Sequence, residues 1–367
     1  MNTDKEQSYL EGDRAKIYLC RLGLAIVVVF YAFSIGVGQE FYLSFRHSFW
    51  GFARPSYDFA KILFMLYLVI VPVTVLPLSL NRVSSVFLYS AFFFVYVPSV
   101  VIGLLNSIDS TVRYFLLLNA TCIGLMVSCI LPRVFDKKVS SSLLEPSAFL
   151  ALVNVACALV CIVVLFLTYG SILSFSGFID VYGQREKGAA TSLFIGYCQV
   201  YLAYVFAPLL FCYGLVFRKW GCFSVAIVSF VFVFMITAER TVLLMPGVLL
   251  LLCLIFKNAG LGISNIYRLF FYGGATILII ALSFDSSSLV NQVGTYFFMR
   301  LVAIPGLLVT QYYDFFSSQG YTYWSHVTGV SSFVDIPPVY ASDPKWPALG
   351  KILAERVLGV QSQSNAS

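Results

Sequence analysis

Long apolar stretches separated by short polar loops run along most of the chain. Stretches such as AIVVVFYAFSIGV (residues 25–37) are apolar on every side, without the strict alternation of membrane-barrel strands. Backbone polar groups in lipid must be satisfied within their own segment, so we predict that these stretches are helices. Each is close to the length that crosses a hydrocarbon core of roughly 30 Å. The pattern predicts nine membrane-spanning helices, at residues 15–37, 59–80, 83–105, 112–131, 148–170, 196–217, 221–237, 241–256 and 269–284.

The pattern changes after Leu282. Residues 285–367 are rich in Tyr, Ser, Pro and Trp, and we expect no further run there that is long enough to cross a membrane. The amphipathic stretch at 296–316 favours a helix that lies in the membrane interface, with aromatic side chains at headgroup depth. We therefore predict a transmembrane helical bundle at 1–284 and an external segment at 285–367 that carries this helix.

Composition agrees with a membrane protein. The chain is 60% hydrophobic and only 11% charged, whereas soluble domains carry about 25% charged residues. The predicted fold class is therefore an all-α polytopic membrane protein. Lys and Arg in the short loops place the N-terminus in the cytoplasm, which puts 285–367 on the outer side. The nine cysteines lie in or beside apolar runs, where we expect small buried side chains rather than disulfides or zinc ligands.

Two adjacent charges interrupt the stretch FVFVFMITAERTVLLMPGVLLLL (230–252). Glu239 and Arg240 are predicted to lie at a tight turn between two helices, because one helix over 221–256 is too long for a normal span. Burying an ionisable group at membrane depth costs at least ~2.5–3.5 kcal/mol, which makes this pair a candidate functional site. The alternative is a mutual ion pair, or an arginine that extends to the interface.

Further arginines fall on the predicted outer side. Arg185 lies in the polar loop VYGQREKGAA together with Tyr182, and Arg300 lies on the amphipathic stretch. A planar, always charged guanidinium binds phosphate or carboxylate with two hydrogen bonds, so a cluster of these side chains would bind such a group. A solvated loop charge at Arg185 and a lipid-headgroup contact at Arg300 are the alternatives.

His326 is a candidate general base in the segment GYTYWSHVTG, because its ordinary pKa is near 6.5. It could equally be a surface histidine. Tyr321 and Trp324, with Tyr323 between them, could stack on sugars or belong to an interfacial aromatic belt. His47 is interpreted as an interfacial loop residue.

Several classes of site are missing from the sequence. It contains no GxxxxGK[ST] phosphate loop, no GxGxxG after a strand, no HExxH, no CxxC and no DxD-like carboxylate pair. We therefore expect chemistry based on arginine electrostatics and one base, with no metal, no cofactor and no nucleic-acid partner.

The arginine loops VYGQRE and ITAERT and the segment YFFMRLVAIPGLLVTQYYDFFSSQGYTYWSHVTG resemble those of the bacterial O-antigen polymerases (Wzy-type). The likeness covers most of the chain diffusely, and residues 296–330 carry its most specific part. Family members usually continue into two or three more spans, so the resemblance implies either a C-terminally truncated chain or an external domain at the C-terminus.

The resemblance implies a glycosyltransferase of the bacterial inner membrane that polymerises undecaprenyl-pyrophosphate-linked repeat units on the periplasmic side. Arg240 and Arg300 would stabilise the pyrophosphate leaving group, and His326 or Glu239 would activate the acceptor hydroxyl. Substrate contacts would come from Arg185, Tyr182, Tyr321 and Trp324. The implied partners are the lipid-linked oligosaccharide, the bilayer and a chain-length regulator protein.

Two other functions stay open at this point. An O-antigen ligase would use the same arginine chemistry with a different acceptor. A flippase or another transporter would place charges along a path through several helices, often with internal repeats, and neither feature is evident. A purely structural scaffold fits badly with Arg240 and His326.

Overall fold

A computed structural model of the chain describes residues 3–78, 80, 83–106, 111–134, 148–174, 183–184, 187–188, 192–257, 263–283, 288–327 and 329–359. The structure is 84% helical, with no strand in the described residues. The predicted all-α polytopic fold is therefore confirmed. Two compact units form the fold, one from residues 1–136 and 261–367 and the other from 137–260.

Among the described residues, the first unit contains eight helices, and π-helical segments occur in three of them. The first four of these helices are α1 (Thr3–Gly38, continued by Gln39–Leu43 and Ser44–Arg46), α2 (Phe59–Ile70), α3 (Val83–Ala91, Phe92–Tyr96 and Val97–Asn106), and α4 (Thr111–Val134). The second unit follows with α5 (Ala148–Tyr169), α6 (Leu193–Tyr201, Leu202–Phe206 and Ala207–Val216), α7 (Trp220–Thr237), and α8 (Arg240–Lys257). The chain then returns to the first unit with α9 (Ile263–Leu282), α10 (Ser288–Val293, Gly294–Ala303 and Ile304–Gln319), α11 (Pro338–Ala341), and α12 (Leu349–Leu358).

Eight of the described helices are long and apolar enough to cross a membrane. They are Ala15–Arg46, Ser84–Asn106, Tyr114–Leu131, Phe149–Ile172, Leu193–Val216, Trp220–Thr237, Ile263–Leu282 and Val290–Gln319. The predicted spans at 59–80 and 241–256 correspond to shorter apolar helices, Phe59–Thr74 and Arg240–Leu250.

Helices α1 and α9 pack side by side in the same direction. The Tyr267 hydroxyl donates to the Cys20 carbonyl at 2.6 Å. Further along both helices, a Cβ added to Gly38 would lie 2.8 Å from Ile277. Residues further along α1 contact residues further along α9, so the two helices are parallel. If the nine predicted spans alternate in direction, the first and the ninth also run in the same direction.

Helix α3 packs against this pair and runs parallel to α1. Tyr31 donates to the Phe93 carbonyl at 3.1 Å and stacks on its ring, with centroids 4.2 Å apart. Nearer the helix ends, Gly36 faces Leu105. The core of the first unit therefore lies between α1, α3 and α9, where large aromatic side chains are fully buried.

Helix α10 corrects the sequence interpretation. We expected no run after Leu282 long enough to cross a membrane, yet Val290–Gln319 is a helical stretch of 30 residues that is long and apolar enough. That expectation was wrong, because two charged residues, Arg300 and Asp314, leave so long a stretch sufficiently apolar. Residues 261–367 group with the N-terminal helices in one compact unit, and the predicted division between 1–284 and 285–367 stays a prediction. The side of the membrane that 285–367 faces stays a prediction.

The two ends of α10 contact the same short segment of the chain. Near its start, the Asn291 side chain accepts a hydrogen bond from Arg46 at 3.4 Å. Near its end, Gln311 donates to the carbonyl of Trp50 at 3.1 Å. Arg46 is the last residue of the continued α1, and Trp50 follows four residues later. The contacts therefore place both parts of α10 near one end of the first unit.

A small C-terminal cluster is attached to the end of α10. Tyr340 is fully buried, and its hydroxyl donates to the Gly320 carbonyl at 2.6 Å. An ion pair joins Arg356 to Asp343 at 2.8 Å. These contacts fix the segment that carries His326.

We expect Gly306→Ala to destabilise the first unit. A Cβ on Gly306 would lie 2.6 Å from the Pro98 carbonyl oxygen, and backbone on both sides leaves little room to adjust. Overpacking of this kind costs about 1–3 kcal/mol. Thermal unfolding in detergent, followed with a dye that reacts with newly exposed cysteines, should show a lower Tm.

The matched control is Gly124→Ala, at a helical glycine of α4 where an added Cβ meets nothing within 4 Å. Alanine has the better helix propensity, so the Tm should stay the same or rise. An equal loss of stability in both variants would contradict the close packing of α10 on α3.

Candidate functional site

The charged interruption forms a turn, as predicted. Helix α7 ends at Thr237, and Ala238 takes the left-handed conformation with φ 50°. Its amide donates to the Phe234 carbonyl at 2.8 Å, which closes the last turn of α7. Helix α8 begins at Arg240. Glu239 and Arg240 therefore lie between two apolar helices of the second unit.

Glu239 is held by a tyrosine that the sequence interpretation missed. The Tyr204 hydroxyl donates to Glu239 Oε2 at 2.9 Å and lies 3.5 Å from the Thr241 hydroxyl. Tyr204 belongs to the π-helical turn Leu202–Phe206. Such turns inside α-helices often occur at functional sites. The available signal in the sequence was one tyrosine within an apolar run, which is too common to single out.

Arg240 is partly buried at the first residue of α8. The helix macrodipole disfavours a cation at this end, where negative groups are stabilised instead. The guanidinium and the first backbone N–H groups of α8 would therefore act together on a bound anion. This arrangement suits phosphate better than it suits the stability of the helix.

The described parts of the loop 183–188 are anchored near the end of α7. Gln184 is 4% exposed, and its amide donates to the carbonyls of Met235 at 2.7 Å and Ile172 at 3.2 Å. Gly188 lies so close to Ile236 that an added Cβ would be 2.0 Å from the carbonyl oxygen. The predicted binding residues Tyr182 and Arg185 lie outside the described residues.

Arg300 lies in the first unit. It is exposed on the π-helical segment Gly294–Ala303, and its guanidinium carbon lies 5.7 Å from the centre of the Tyr296 ring. Its chain neighbours Met299 and Val302 are buried. Arg300 belongs to the first unit and Arg240 to the second. That the two arginines serve one site therefore stays a prediction.

His326 sits among aromatic side chains in the C-terminal cluster. Its Nδ1 lies 3.2 Å from the Thr322 hydroxyl. The Trp324 ring lies nearly parallel to the imidazole at 6.4 Å, and Trp346 lies edge-on at the same distance. The structure therefore brings the predicted residues His326 and Trp324 together.

The turn before His326 displays aromatic rings to the outside. Tyr321 is 51% exposed and Trp324 is 70% exposed. Tyr323 and Trp324 both have positive φ, 48° and 66°, a conformation that bulky residues rarely adopt. Strain of this kind often marks functional sites, which favours a binding role for this turn over chance exposure.

A second polar cluster, also missed in the sequence, lies at the end of α1. Gln39 is fully buried and donates to Asn106 Oδ1 at 2.6 Å. Among the described residues, Gln39 Oε1, Asn106 Nδ2 and both ring nitrogens of His47 have no hydrogen-bond partner. Burial lowers the pKa of His47, and the adjacent Arg46 lowers that pKa further. His47 is thus more buried than an ordinary loop residue of the interface.

The described residues include no group of three or more His, Cys, Asp or Glu side chains arranged to hold a metal ion. All nine cysteines are free. No protein-family profile, curated protein or solved structure matches this chain.

We expect stability to fall below about pH 6.5 because of His47. Its pKa is lowered in the folded state, whereas the unfolded chain has a pKa near 6.5. Above pH 6.5 the imidazole is neutral in both states. Between that pH and the lower folded pKa, the unfolded state binds a proton that the folded state excludes, so unfolding becomes easier. The Tm should therefore decrease as the pH is lowered from 7.5 to 5.0.

His47→Gln removes the group that takes up this proton. The Tm of this variant should therefore depend less on pH below about 6.5. The chain has two histidines, so His326→Gln provides the matched comparison. If His47→Gln keeps the wild-type decrease, His47 is not the group responsible.

Proposed function

We propose that this protein is a glycosyltransferase that polymerises oligosaccharide units linked to a polyprenyl pyrophosphate at the outer face of a bacterial inner membrane. The observation that carries the proposal is the turn between α7 and α8. It combines a partly buried arginine, a helix N-terminus and a carboxylate oriented by a tyrosine. Together these groups suit the departure of a diphosphate and the activation of a hydroxyl.

In the proposed reaction, the bond between the sugar anomeric carbon and the diphosphate oxygen breaks, and the diphosphate leaves with the electron pair. The acceptor hydroxyl forms the new glycosidic bond and gives its proton to the Glu239 carboxylate. The hydrogen bond from Tyr204 at 2.9 Å holds that carboxylate in place. Fixed positive groups that meet developing negative charge are often the largest single contribution to catalysis.

Arg240 would bind the leaving diphosphate together with the first N–H groups of α8. The anchoring of Gln184 on the Met235 carbonyl supports the proposal that its chain neighbour Arg185 serves the same site. The lipid diphosphate is itself activated, so the reaction requires no nucleotide, and the sequence contains no nucleotide-binding motif.

The sequence resemblance also assigns roles to residues of the first unit. Arg300 would be a second contact to the diphosphate, and the exposed rings of Tyr321 and Trp324 would stack on sugar faces. His326 would hydrogen-bond the acceptor or replace Glu239 as base. A chain-length regulator is the proposed protein partner.

Arg240→Ala and Arg300→Ala should each abolish long-chain lipopolysaccharide when tested in a strain that lacks its own copy of this gene. Each removes an always charged group whose fork geometry lysine does not reproduce, so Lys at either position should restore little. The readout is the ladder of chain lengths on a gel, with membrane insertion verified by immunoblotting. Loss of function should leave single capped units.

Arg268→Ala is the control, because Arg268 is an exposed arginine near the start of α9, on the predicted cytoplasmic side. It should keep the full ladder. Unchanged ladders for Arg240→Ala would contradict the proposal. Accumulation of unligated polymer would indicate a ligase, and loss of units from the outer leaflet would indicate a transporter.

Glu239→Gln and Tyr204→Phe should separate the roles of the base and of the residue that positions it. Glu239→Gln removes the proton acceptor, and a general base typically contributes about 10²–10⁴-fold. Tyr204→Phe leaves the carboxylate present but less oriented, so polymerisation should fall less. The measurement is the rate of chain extension in membranes. If Glu239→Gln extends chains at the wild-type rate, Glu239 is not the base, and His326 becomes the favoured candidate.

A further inference from the structure

An apolar groove runs along the second unit between α5 and α6. It encloses about 530 Å³. This volume is within the range of about 300–1,000 Å³ that is usual for ligand sites. Its walls come from the first half of α5 and the second half of α6, and they include Leu150, Val153, Cys157, Leu209, Tyr213 and Phe217.

The length of the groove matches one leaflet of a bilayer. On α6 its lining runs from Phe206 to Phe217. At 1.5 Å per residue this distance is roughly 16 Å. Half of a hydrocarbon core of about 30 Å has nearly the same length. A hydrocarbon chain that crosses one leaflet would therefore fit along the groove.

The walls of the groove suit hydrocarbon. Asn154 also lines it, but its side-chain amide donates to the Phe206 carbonyl at 3.4 Å. Elsewhere on the same helix, Leu152 and Leu167 are 66% and 80% exposed, as expected for a helix in contact with lipid. The medium around the groove is then acyl chains, and a lipid is a more suitable occupant than a peptide.

Two exposed cations follow the groove where it ends at Phe217. Arg218 and Lys219 form the turn between α6 and α7, and the Lys219 amide donates to the Gly214 carbonyl at 2.9 Å. Arg218 has φ 54°, at a helix end where glycine is the usual residue. Trp220, next in the chain, is 67% exposed, as is typical of a membrane interface.

We propose that this groove is a binding site for an anionic glycerophospholipid. One acyl chain lies between α5 and α6, and the phosphate is bound by Arg218 and Lys219. Basic residues beside membrane helices attract anionic headgroups, which accounts for the preference for anionic over zwitterionic lipids. The proposal does not depend on the glycosyltransferase activity, because it uses none of the residues assigned to that site.

The test is native mass spectrometry of the delipidated full-length protein, titrated with dioleoyl phosphatidylglycerol or dioleoyl phosphatidylcholine. We expect phosphatidylglycerol to bind roughly tenfold more tightly or better, given two cations near the headgroup. The double variant Arg218→Gln/Lys219→Gln should bind the two lipids equally. Val153→Trp fills the groove and should lose the bound lipid.

Matched controls lie elsewhere in the protein. Leu167→Trp adds the same ring to an exposed position of α5 outside the groove lining, and Arg268→Gln removes an exposed cation of the first unit. Both should bind like wild type. Glycerol phosphate, which has the headgroup chemistry but no acyl chain, should not displace the lipid at equal concentration.

A second measurement needs no variant, in case Val153→Trp fails to fold. Cys157 and Cys212 both line the groove and are free. Phosphatidylglycerol should slow their alkylation by N-ethylmaleimide, measured by peptide mass spectrometry, while leaving the rate at Cys20 unchanged. Equal affinity of wild type for both lipids, unchanged binding by Val153→Trp, displacement by glycerol phosphate or unprotected cysteines would each overturn the proposal.

Discussion

The structure depends on one constraint, the cost of a polar group in an apolar helical bundle without a hydrogen-bond partner. Within the described parts of the chain, this constraint explains where polar side chains gather. Glu239 receives the Tyr204 hydroxyl, Gln184 is bonded to main-chain carbonyls, and Gln39 is paired with Asn106. In each pairing at least one partner lies where a helix ends or a loop begins. The pairing of Gln39 with Asn106 is incomplete, because Gln39 Oε1 and Asn106 Nδ2 have no hydrogen-bond partner.

The sequence was sufficient for the fold class because long, continuous apolar runs identify membrane helices. The charged pair at 239–240 was also interpretable, since two charges in an apolar run have few acceptable positions. The role of Val290–Gln319 was not predictable from sequence. Its length suggests a crossing, while its contacts with Arg46 and Trp50 place both parts at one end of the unit. Local composition does not encode such tertiary contacts.

The sequence singled out candidate residues but not the side chains that hold them in place. Arginines stand out in an apolar sequence, and His326 and Trp324 indeed lie together. Tyr204 and Gln184 were missed because their importance comes from partners 35 and 51 residues away. The π-helical turns that carry Tyr204 and Arg300 have no simple sequence signature. Side chains that position other side chains become visible only when the fold is known.

The central claim is that fixed arginines and one carboxylate suffice to transfer a sugar chain from a lipid diphosphate. The most direct measurement is reconstitution of the purified protein in liposomes with a polyprenyl-pyrophosphate-linked oligosaccharide, with a metal chelator present and no nucleotide. The account predicts products of increasing length, separated by one repeat unit, and release of the lipid diphosphate in equal number with the new bonds. Absence of both products from well-folded protein, or their formation at the same rate after Arg240→Ala, would contradict it.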